Sequence, residues 1–292
     1  MNLAWLKSET AWQPLTFKGV AAFASAPFRR LLLIQFLFAL LTATVVVWCL
    51  VHAWFPTVRQ TILQMPETGE IRSGQLSWTN ETPRLLAEGP FLSVTADPDH
   101  SGQIRVPAHF QIEFGRSTVR VLSLLGYRDW PYPGAPWIVK FNRTELEPWW
   151  GAWYPPLLWM VFGGVLIGLL VIWPVVATFY FIPVWIAGFL TNRELSLTGS
   201  WRLSGAALMP GALVMILSLA VYALGGLDLI GLIAAQLAHW IVGWIYCAGG
   251  IFKRPYLQTD APTKNPFDPN PTRRQKKSDG SPRENPFKAR DN

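Results

Sequence analysis

The feature that most constrains this chain is a run of 39 residues, 152–190, without a single Lys, Arg, Asp or Glu. At about 1.5 Å per residue, a helix of that length measures about 58 Å, against about 30 Å for the hydrocarbon core of a bilayer. Three more apolar tracts occur at 31–55, 205–224 and 229–252. Charged residues make up only 15% of the chain, which is low for a soluble domain. We therefore predict an α-helical polytopic membrane protein.

The long tract leaves the number of spans open. Pro174 and Pro183 lie inside it, and we expect them to break the helix. The tract is then either one crossing, about 152–174, followed by an interfacial or re-entrant stretch, or two short crossings. Four spans are favoured and five are the alternative.

Basic residues indicate how the chain is oriented. Arg29 and Arg30 precede the first tract, and the segment 253–292 has ten Lys or Arg against five Asp or Glu. Cytoplasmic flanks carry such an excess of positive charge, so both termini are predicted to be cytoplasmic and the number of crossings to be even. The first tract is too long for the apolar core of a signal peptide, and we interpret it as an uncleaved anchor.

The segment between the first two spans, 56–150, has a different composition, with nine Lys or Arg and ten Asp or Glu. A helical spacing continues from the first span as far as Pro66. Short stretches rich in β-branched and aromatic residues follow, and "HFQIEFGRSTVRVLSLL" (109–125) begins with a strict alternation of polar and apolar residues. This segment is predicted to be a small β-rich extracytoplasmic domain inserted between spans.

The predicted organisation has five parts. They are a cytoplasmic segment (1–30), transmembrane helix 1 (31–55), the β-rich domain (56–150), the membrane domain (151–252) and a basic tail (253–292). The tail is rich in Pro, Asp, Lys and Ser and cannot bury enough apolar surface to fold, so we expect it to be disordered. Inside the tail, "KNPFDPN" (264–270) and "ENPFKAR" (284–290) repeat Asn-Pro-Phe.

These repeats suggest partners for the tail. Phe267 and Phe287 are candidate docking points for a protein partner, and two linked points would gain affinity from avidity. Alternatively, the basic residues hold the tail on anionic lipid. The other predicted partner is the lipid bilayer itself, and no nucleic acid is expected.

Two further stretches, "MPETGEIRSGQL" (65–76) and "LSLTGSWRLSGAALMP" (195–210), resemble segments of a known family. This is an uncharacterised family of bacterial integral membrane proteins, distantly similar to the Yip-type membrane proteins of the secretory pathway. One of its members is named for maltodextrin utilisation. The resemblance covers the architecture of most of the chain but not the basic tail. It implies an inner-membrane protein with an accessory link to carbohydrate handling.

Polar residues inside the last tract form a candidate site. His239 lies near its middle, and Gln236 lies three residues earlier on the same helix face. An ionisable residue at that depth is by default a hypothesis for a functional site. The alternative is that the two side chains hydrogen-bond to another span, for example through Gln35 or Ser218, and hold helices together.

An aromatic stretch of the β-rich domain forms a second candidate site. In "YRDWPYPGAPW" (127–137), Tyr127, Trp130, Tyr132 and Trp137 are predicted to form an exposed aromatic platform for sugars or peptides. The alternative is a loop that packs on the β core or dips into lipid headgroups. Trp149, Trp150 and Trp153 are interpreted as anchors at the membrane interface.

No motif for enzyme chemistry is recognised. The two cysteines, Cys49 and Cys247, are expected near opposite ends of their spans, too far apart for a disulfide. His100, His109, Asp97, Asp99 and Glu113 are interpreted as solvated strand and loop positions. We therefore predict no cofactor, no metal and no catalytic activity.

The function predicted from the sequence is a non-enzymatic, Trp-rich, multi-pass protein of the bacterial inner membrane that acts as an accessory, scaffold or sensor. The alternative is a component of a transport system that uses Gln236 and His239. An envelope enzyme with its site in the outer domain is the third and least favoured class.

Overall fold

The computed structural model describes residues 12–78 and 82–257. Six α-helices lie in this part of the chain, and a π-helical turn, Leu50–Trp54, joins α2 to α3. The helices are α1 (Phe17–Phe23), α2 (Phe28–Cys49), α3 (Phe55–Gln64), α4 (Arg143–Leu190), α5 (Leu197–Ala223) and α6 (Leu229–Phe252). All of them, and all strands, belong to one compact unit that ends at Pro255; the chain from Tyr256 onward belongs to a second unit.

Four helical segments are long and apolar enough to cross a membrane: Phe28–Gln64, α4, α5 and α6. The prediction of four long apolar helices is therefore confirmed. The expected break in the long tract is wrong, because Pro174 and Pro183 both lie inside one continuous helix of 48 residues. Helices in apolar surroundings persist through proline when neighbouring groups satisfy the backbone.

Capping side chains account for where α5 and α6 begin. Ser196 accepts a hydrogen bond from the amide of Gly199, and Asp228 accepts one from the amide of Gly231. Between the helices, Gly225 has a φ of +75°, a left-handed conformation that glycine adopts without strain. Helix α6 begins and ends at the bounds of the predicted tract 229–252. Helix α5 begins eight residues before the predicted tract 205–224.

Helices α2, α4, α5 and α6 pack together and are called the bundle here. Small residues of α5 allow the close approach, among them Gly205, Ala206, Ala207, Gly211 and Ala212, all buried. The tightest point is at Gly211, where an added Cβ would lie 2.6 Å from the carbonyl oxygen of His239 on α6. Such backbone contact through small residues is typical of helix packing in membranes.

Helix α1 packs against one end of the bundle, although the sequence predicted no structure before the first span. Arg202 donates a 2.5 Å hydrogen bond to the carbonyl of Ala26. Arg254 donates to the carbonyl of Ala21 at 3.4 Å and to the hydroxyl of Ser25 at 3.0 Å. Arginines that bond carbonyls at a helix C-terminus stabilise that end. Thus α1 is held by arginines that lie more than 170 residues away in the sequence.

The β region at the other end of the bundle contains two sheets, with strand orders β2-β1-β8 and β3-β4-β5-β6-β7. All strand pairs are antiparallel except β4 and β5. The strands are β1 (Gly69–Arg72), β2 (Gln75–Trp78), β3 (Arg84–Ala87), β4 (Leu92–Ala96), β5 (Phe110–Phe114), β6 (Thr118–Ser123), β7 (Gly126–Pro131) and β8 (Ile138–Lys140). A small β-rich region between the first two long helices is therefore confirmed.

Both flanks of the β region are helical, and the first of them, α3, ends just before Pro66, as the spacing predicts. Helix α3 and the first turns of α4 continue beyond the bundle as a two-helix stalk. Phe55 of α3 packs against Trp150 and Tyr154 of α4, with ring centroids 5.2 and 5.5 Å apart. On the same part of α4, Trp149 and Trp153 are exposed, as interface anchors require.

The apolar face of the larger sheet packs on this stalk. Leu92, Val94 and Phe110 pack against two residues of the first long helix. These are Trp54, which precedes α3, and Val58, which lies in the first turn of α3. The other face of the sheet carries polar side chains. This division places Gln111 and Glu113 on the face turned away from α3.

Candidate functional site

A cavity of about 350 Å³ lies between the four helices of the bundle, and Gln236 and His239 both line it. Most of the remaining wall is apolar and includes Trp173, Trp240 and Met215. This is the bundle cavity. The candidate polar pair of the last span therefore lies on the wall of a space large enough for a small apolar ligand or part of a lipid chain.

The hydrogen bond of His239 fixes the state of its ring. Nδ1 bonds the carbonyl oxygen of Gln236 in the same helix. Since a carbonyl only accepts, Nδ1 carries a proton, and in the neutral tautomer of this kind Nε2 is an acceptor.

The expected bonds from this pair to another span are not found among the described residues. Gln35 donates to the carbonyl of Gly205 at 3.5 Å, and Ser218 donates within its own helix at 2.8 Å. Neither of them reaches His239. The helices are held close at this level by small residues such as Gly211 instead.

The chemistry of the bundle cavity is limited. Among the described residues that line it, His239 and Tyr180 are the titratable ones. Tyr180 is buried, and its ring stacks on Trp244 with centroids 4.2 Å apart. A proton pathway needs several polar groups in register, whereas this wall suits an apolar molecule with one hydrogen-bond donor.

A second candidate site, the polar cluster, lies on the β region. Strands β4 and β5 are parallel, so the chain must cross over between them, and residues 97–109 do so above the polar face of the sheet. The crossover brings Arg105 and His100 to Glu113. Arg105 donates to Oε2 of Glu113 at 2.8 Å, and Nδ1 of His100 lies 2.5 Å from Oε1.

Glu113 is fully buried, and the other nitrogen of His100 lies 2.8 Å from the hydroxyl of Thr118. The prediction that His100 and Glu113 are solvated positions is therefore wrong. The reason is the crossover, which covers a strand residue that local alternation assigns to solvent. Both carboxylate oxygens of Glu113 already accept hydrogen bonds, so the cluster is closed and its geometry is that of a structural ion pair.

Gly115 makes room for the ring of His100, which yields a prediction. A Cβ at Gly115 would lie within 2.9 Å of three atoms of that ring. We expect Gly115→Ala to displace His100 and to lower the free energy of unfolding of the β region by about 1–3 kcal/mol. The urea midpoint measures this, with Gly134→Ala, which has open space around it, as the control. If the clash is with His100, the effect must shrink in a His100→Ala background.

Asp97 follows β4 and anchors the start of the crossover. Its Oδ2 accepts hydrogen bonds from the hydroxyl of Ser101 and the amide of Gly102, each at 2.9 Å. Burial acts to raise the pKa of Asp97, but these hydrogen bonds together act more strongly, and the pKa lies below its ordinary value of 3.8. The ionised form is thus the one that holds the loop.

This shift predicts a dependence of stability on pH. A carboxylate with a lowered pKa stabilises the folded state above the ordinary pKa, and the stabilisation is lost as the pH falls through the folded value. We expect the gap in thermal midpoint between wild type and Asp97→Asn to be constant from about pH 7 to pH 5 and to shrink below pH 3.8. A gap that is unchanged at about pH 3 would contradict this account.

The predicted aromatic platform is not a single surface. Tyr132 is buried and donates a 3.0 Å hydrogen bond to the carbonyl of Gly115; burial also raises its pKa. Tyr127 and Trp130 lie on strand β7, an odd number of residues apart, so they point to opposite faces. The prediction is therefore wrong for the set of four, because part of the stretch is an edge strand. Tyr127, Trp130 and Trp137 are each exposed.

An aromatic joint connects the β region to the bundle. It consists of Phe91 and His109 from the β region and Tyr222 from the end of α5. The rings of Phe91 and His109 lie 4.8 and 5.3 Å from that of Tyr222. Nδ1 of His109 also lies 2.9 Å from the tyrosine hydroxyl. Cys49 and Ala53 of the first long helix complete the packing. Sequence reasoning missed this joint, because Tyr222 lies 113 residues after His109.

Other predicted positions are placed as follows. Cys49 and Cys247 are both free and buried, and they belong to packing clusters at opposite ends of the bundle, as predicted. The docking candidates Phe267 and Phe287 lie outside the described residues. Within the described ranges, no group of three or more His, Cys, Asp or Glu side chains has a geometry that could hold a metal ion.

Comparison with protein-family models, curated proteins and solved structures gave no match.

Proposed function

We propose that this is a multi-pass protein of the bacterial inner membrane, with four spans, an extracytoplasmic β region and cytoplasmic termini. The four long apolar helices support this placement. So does the distribution of charge, since Arg202 and Arg254 lie at the end of the bundle opposite the β region. Positive charge of this kind marks the cytoplasmic side.

Two reporter fusions test this placement. A reporter that is active only in the cytoplasm should work when fused after Asn292 and fail when inserted in the β5–β6 turn at Ser117. A reporter that is active only outside should show the reverse. Equal activity of one reporter at both positions would mean that the bundle has an odd number of crossings, and the placement would be wrong.

For the role, we propose a non-enzymatic accessory, scaffold or sensor, and the aromatic joint is the observation that carries this. Through His109 and Tyr222, a partner bound to the β region would act on the end of α5 directly. From α5, contacts continue to every other helix of the bundle. A rigid link between an outer domain and the spans is what a sensor or scaffold needs.

The experiment for this role separates signalling from folding. In a strain that lacks the gene, Tyr222→Phe should complement poorly at normal protein level, because it removes the hydrogen bond to His109 but keeps the ring. Tyr154→Phe on the stalk is the control. The resemblance to the family with a member named for maltodextrin utilisation suggests growth on maltodextrins as the first assay. Full complementation by both Tyr222→Phe and Tyr222→Ala would contradict the proposal.

A transport component is the second candidate function, and the bundle cavity favours it. The cavity places Gln236 and His239 on one wall between all four helices. In this case His239→Leu should abolish uptake of the substrate while the folding yield is kept. If uptake or growth is unaffected, the transport proposal loses its intramembrane support. An envelope enzyme is the third class, and the closed polar cluster gives it little support.

The tail adds a proposal that rests on sequence alone. We propose that the Asn-Pro-Phe repeats bind a cytosolic protein and that the basic residues bind anionic lipid. A peptide of residues 258–292 should bind vesicles that contain anionic lipid and should not bind neutral ones. Phe267→Ala with Phe287→Ala should leave this lipid binding unchanged and abolish capture of the protein partner.

A further inference from the structure

The β6–β7 hairpin ends in an exposed apolar tip, which consists of Leu124, Leu125 and Tyr127. Their relative exposures are 59%, 89% and 66%. Two adjacent leucines at the end of a hairpin are costly in water, since each fully buried leucine side chain is worth about 1.5–3 kcal/mol of transfer free energy. A tip of this kind is more stable in an apolar environment than in water.

The register of the sheet places this hairpin tip at the end of the β region that faces the bundle. Ser123, the last residue before the tip, pairs with Phe110 at the start of β5. Phe110 packs on Trp54 with ring centroids 5.5 Å apart, and its neighbour His109 contacts Tyr222. The hairpin tip therefore lies level with the end of the bundle that faces the β region. In the sheet, β6 and β7 follow β5 on the side towards the edge.

The turn at the opposite end of β6, which joins it to β5, has a different composition. The β5–β6 turn there is Gly115-Arg116-Ser117, and Arg116 and Ser117 are exposed. The β5–β6 turn is thus polar and points away from the bundle, whereas the β6–β7 turn is apolar and points towards it. Both ends would be polar if the strands were surrounded only by water.

Residues next to the hairpin tip follow the order of a membrane interface. Leucines come first, and Tyr127 follows with the guanidinium of Arg120 4.7 Å above its ring. Arg128 is exposed one residue later, about 10 Å from Leu125 along the strand. Apolar side chains enter the acyl region, aromatic rings lie at the headgroups, and arginine binds phosphate.

We propose that the hairpin tip inserts into the outer leaflet beside the bundle and acts as a second, non-helical contact between the β region and the bilayer. The bilayer is the occupant because the register puts the tip level with the ends of the long apolar helices. This inference rests on the proposed placement of the four helices in a membrane. It adds a lipid-binding surface to a domain that the stalk and the aromatic joint already hold.

The experiment measures depth at three positions in the full chain reconstituted in lipid nanodiscs. Leu125→Cys at the tip, Ser117→Cys at the polar turn and Leu237→Cys on the exposed face of α6 are each labelled in detergent with a small environment-sensitive fluorophore. Cys49 and Cys247 are buried and are replaced by alanine, or kept if the cysteine-free chain is unstable. Quenching is compared between lipids that carry a nitroxide on the acyl chain and iodide in the water.

We expect strong lipid quenching at positions 125 and 237, with at least a threefold excess over position 117, and iodide quenching at 117 alone. Lipid quenching at 237 without quenching at 125 would overturn this inference and leave the proposed placement intact. Absence of lipid quenching at 237 would overturn the placement itself. A blue-shifted emission at 125 that is identical in detergent and in nanodiscs, without lipid quenching, would mean that the tip contacts protein and would also overturn the inference.

Discussion

Replacing Glu113 with alanine is expected to lower the free energy of unfolding of the β region by about 2–4 kcal/mol. Glu113 is fully buried, and it is the common partner of His100 and Arg105. Its loss leaves the buried side of His100 without an acceptor and releases the crossover that the ion pair holds. The expected loss is below that for a fully buried pair, because Arg105 is half exposed and water can solvate its charge. Glu113→Gln keeps an acceptor and should cost less.

A cysteine at Ser93 can report this opening. Ser93 lies on β4 beside Gln111 and is fully buried, and its hydroxyl has no hydrogen-bond partner among the described residues, so Ser93→Cys fits the site. The rate of thiol modification against urea then follows the opening of the larger sheet. Asp99→Ala is the control, because Asp99 is exposed and lies 3.7 Å from Arg116; pairs of this kind contribute about 0–1 kcal/mol. If Glu113→Ala opens at the same urea concentration as Asp99→Ala, the polar cluster does not stabilise the fold.

Gly211→Val is expected to destabilise the bundle by about 1–3 kcal/mol, with a fall of several degrees in thermal midpoint. The first added carbon would lie 2.6 Å from the carbonyl oxygen of His239, which is backbone and cannot turn aside. Helices α5 and α6 must therefore move apart. Gly211→Ala should show a smaller effect in the same direction.

The cysteines already present measure this change. Cys247 is buried in the bundle, so a thiol-reactive dye reports its unfolding in detergent. Gly164→Val on α4 is the matched control, since nothing lies within 4 Å of the added carbon. An equal loss of stability in both variants would mean that the substitution acts through the helix backbone and not through contact between helices.

The long helices were predictable from the sequence, and the reason is that charge-free apolar length is a local property. The start of α6 agrees with the predicted tract, and in the structure Asp228 caps it. Proline misled the prediction for α4, because its effect depends on surroundings that satisfy the backbone. Helix α1 was missed because it is short and is held by Arg202 and Arg254, which are distant in sequence.

Less of the candidate sites could be predicted. The pair Gln236 and His239 was identified because polar residues are rare in such a tract, and both line the bundle cavity. The polar cluster depends on a parallel strand pair, which the sequence does not reveal. The one available signal was the strict alternation around Glu113. It indicates on which face of the strand Glu113 lies, but not that the crossover covers this face. The aromatic joint brings Tyr222 of α5 into contact with Phe91 and His109, and no pattern in the sequence indicates this contact.

The packing of α1 sets an order in biosynthesis. Among the described helices α1 leaves the ribosome first, yet Tyr246, Gly249 and Arg254, which it contacts, emerge only when almost all the described chain has been made. Its contacts with α5, such as the bond of Arg202 to Ala26, can form earlier, but its contacts with α6 cannot, so the packing of α1 is completed only when α6 is present. A nascent chain that stops before α6 would therefore hold α1 by its contacts with α5 alone.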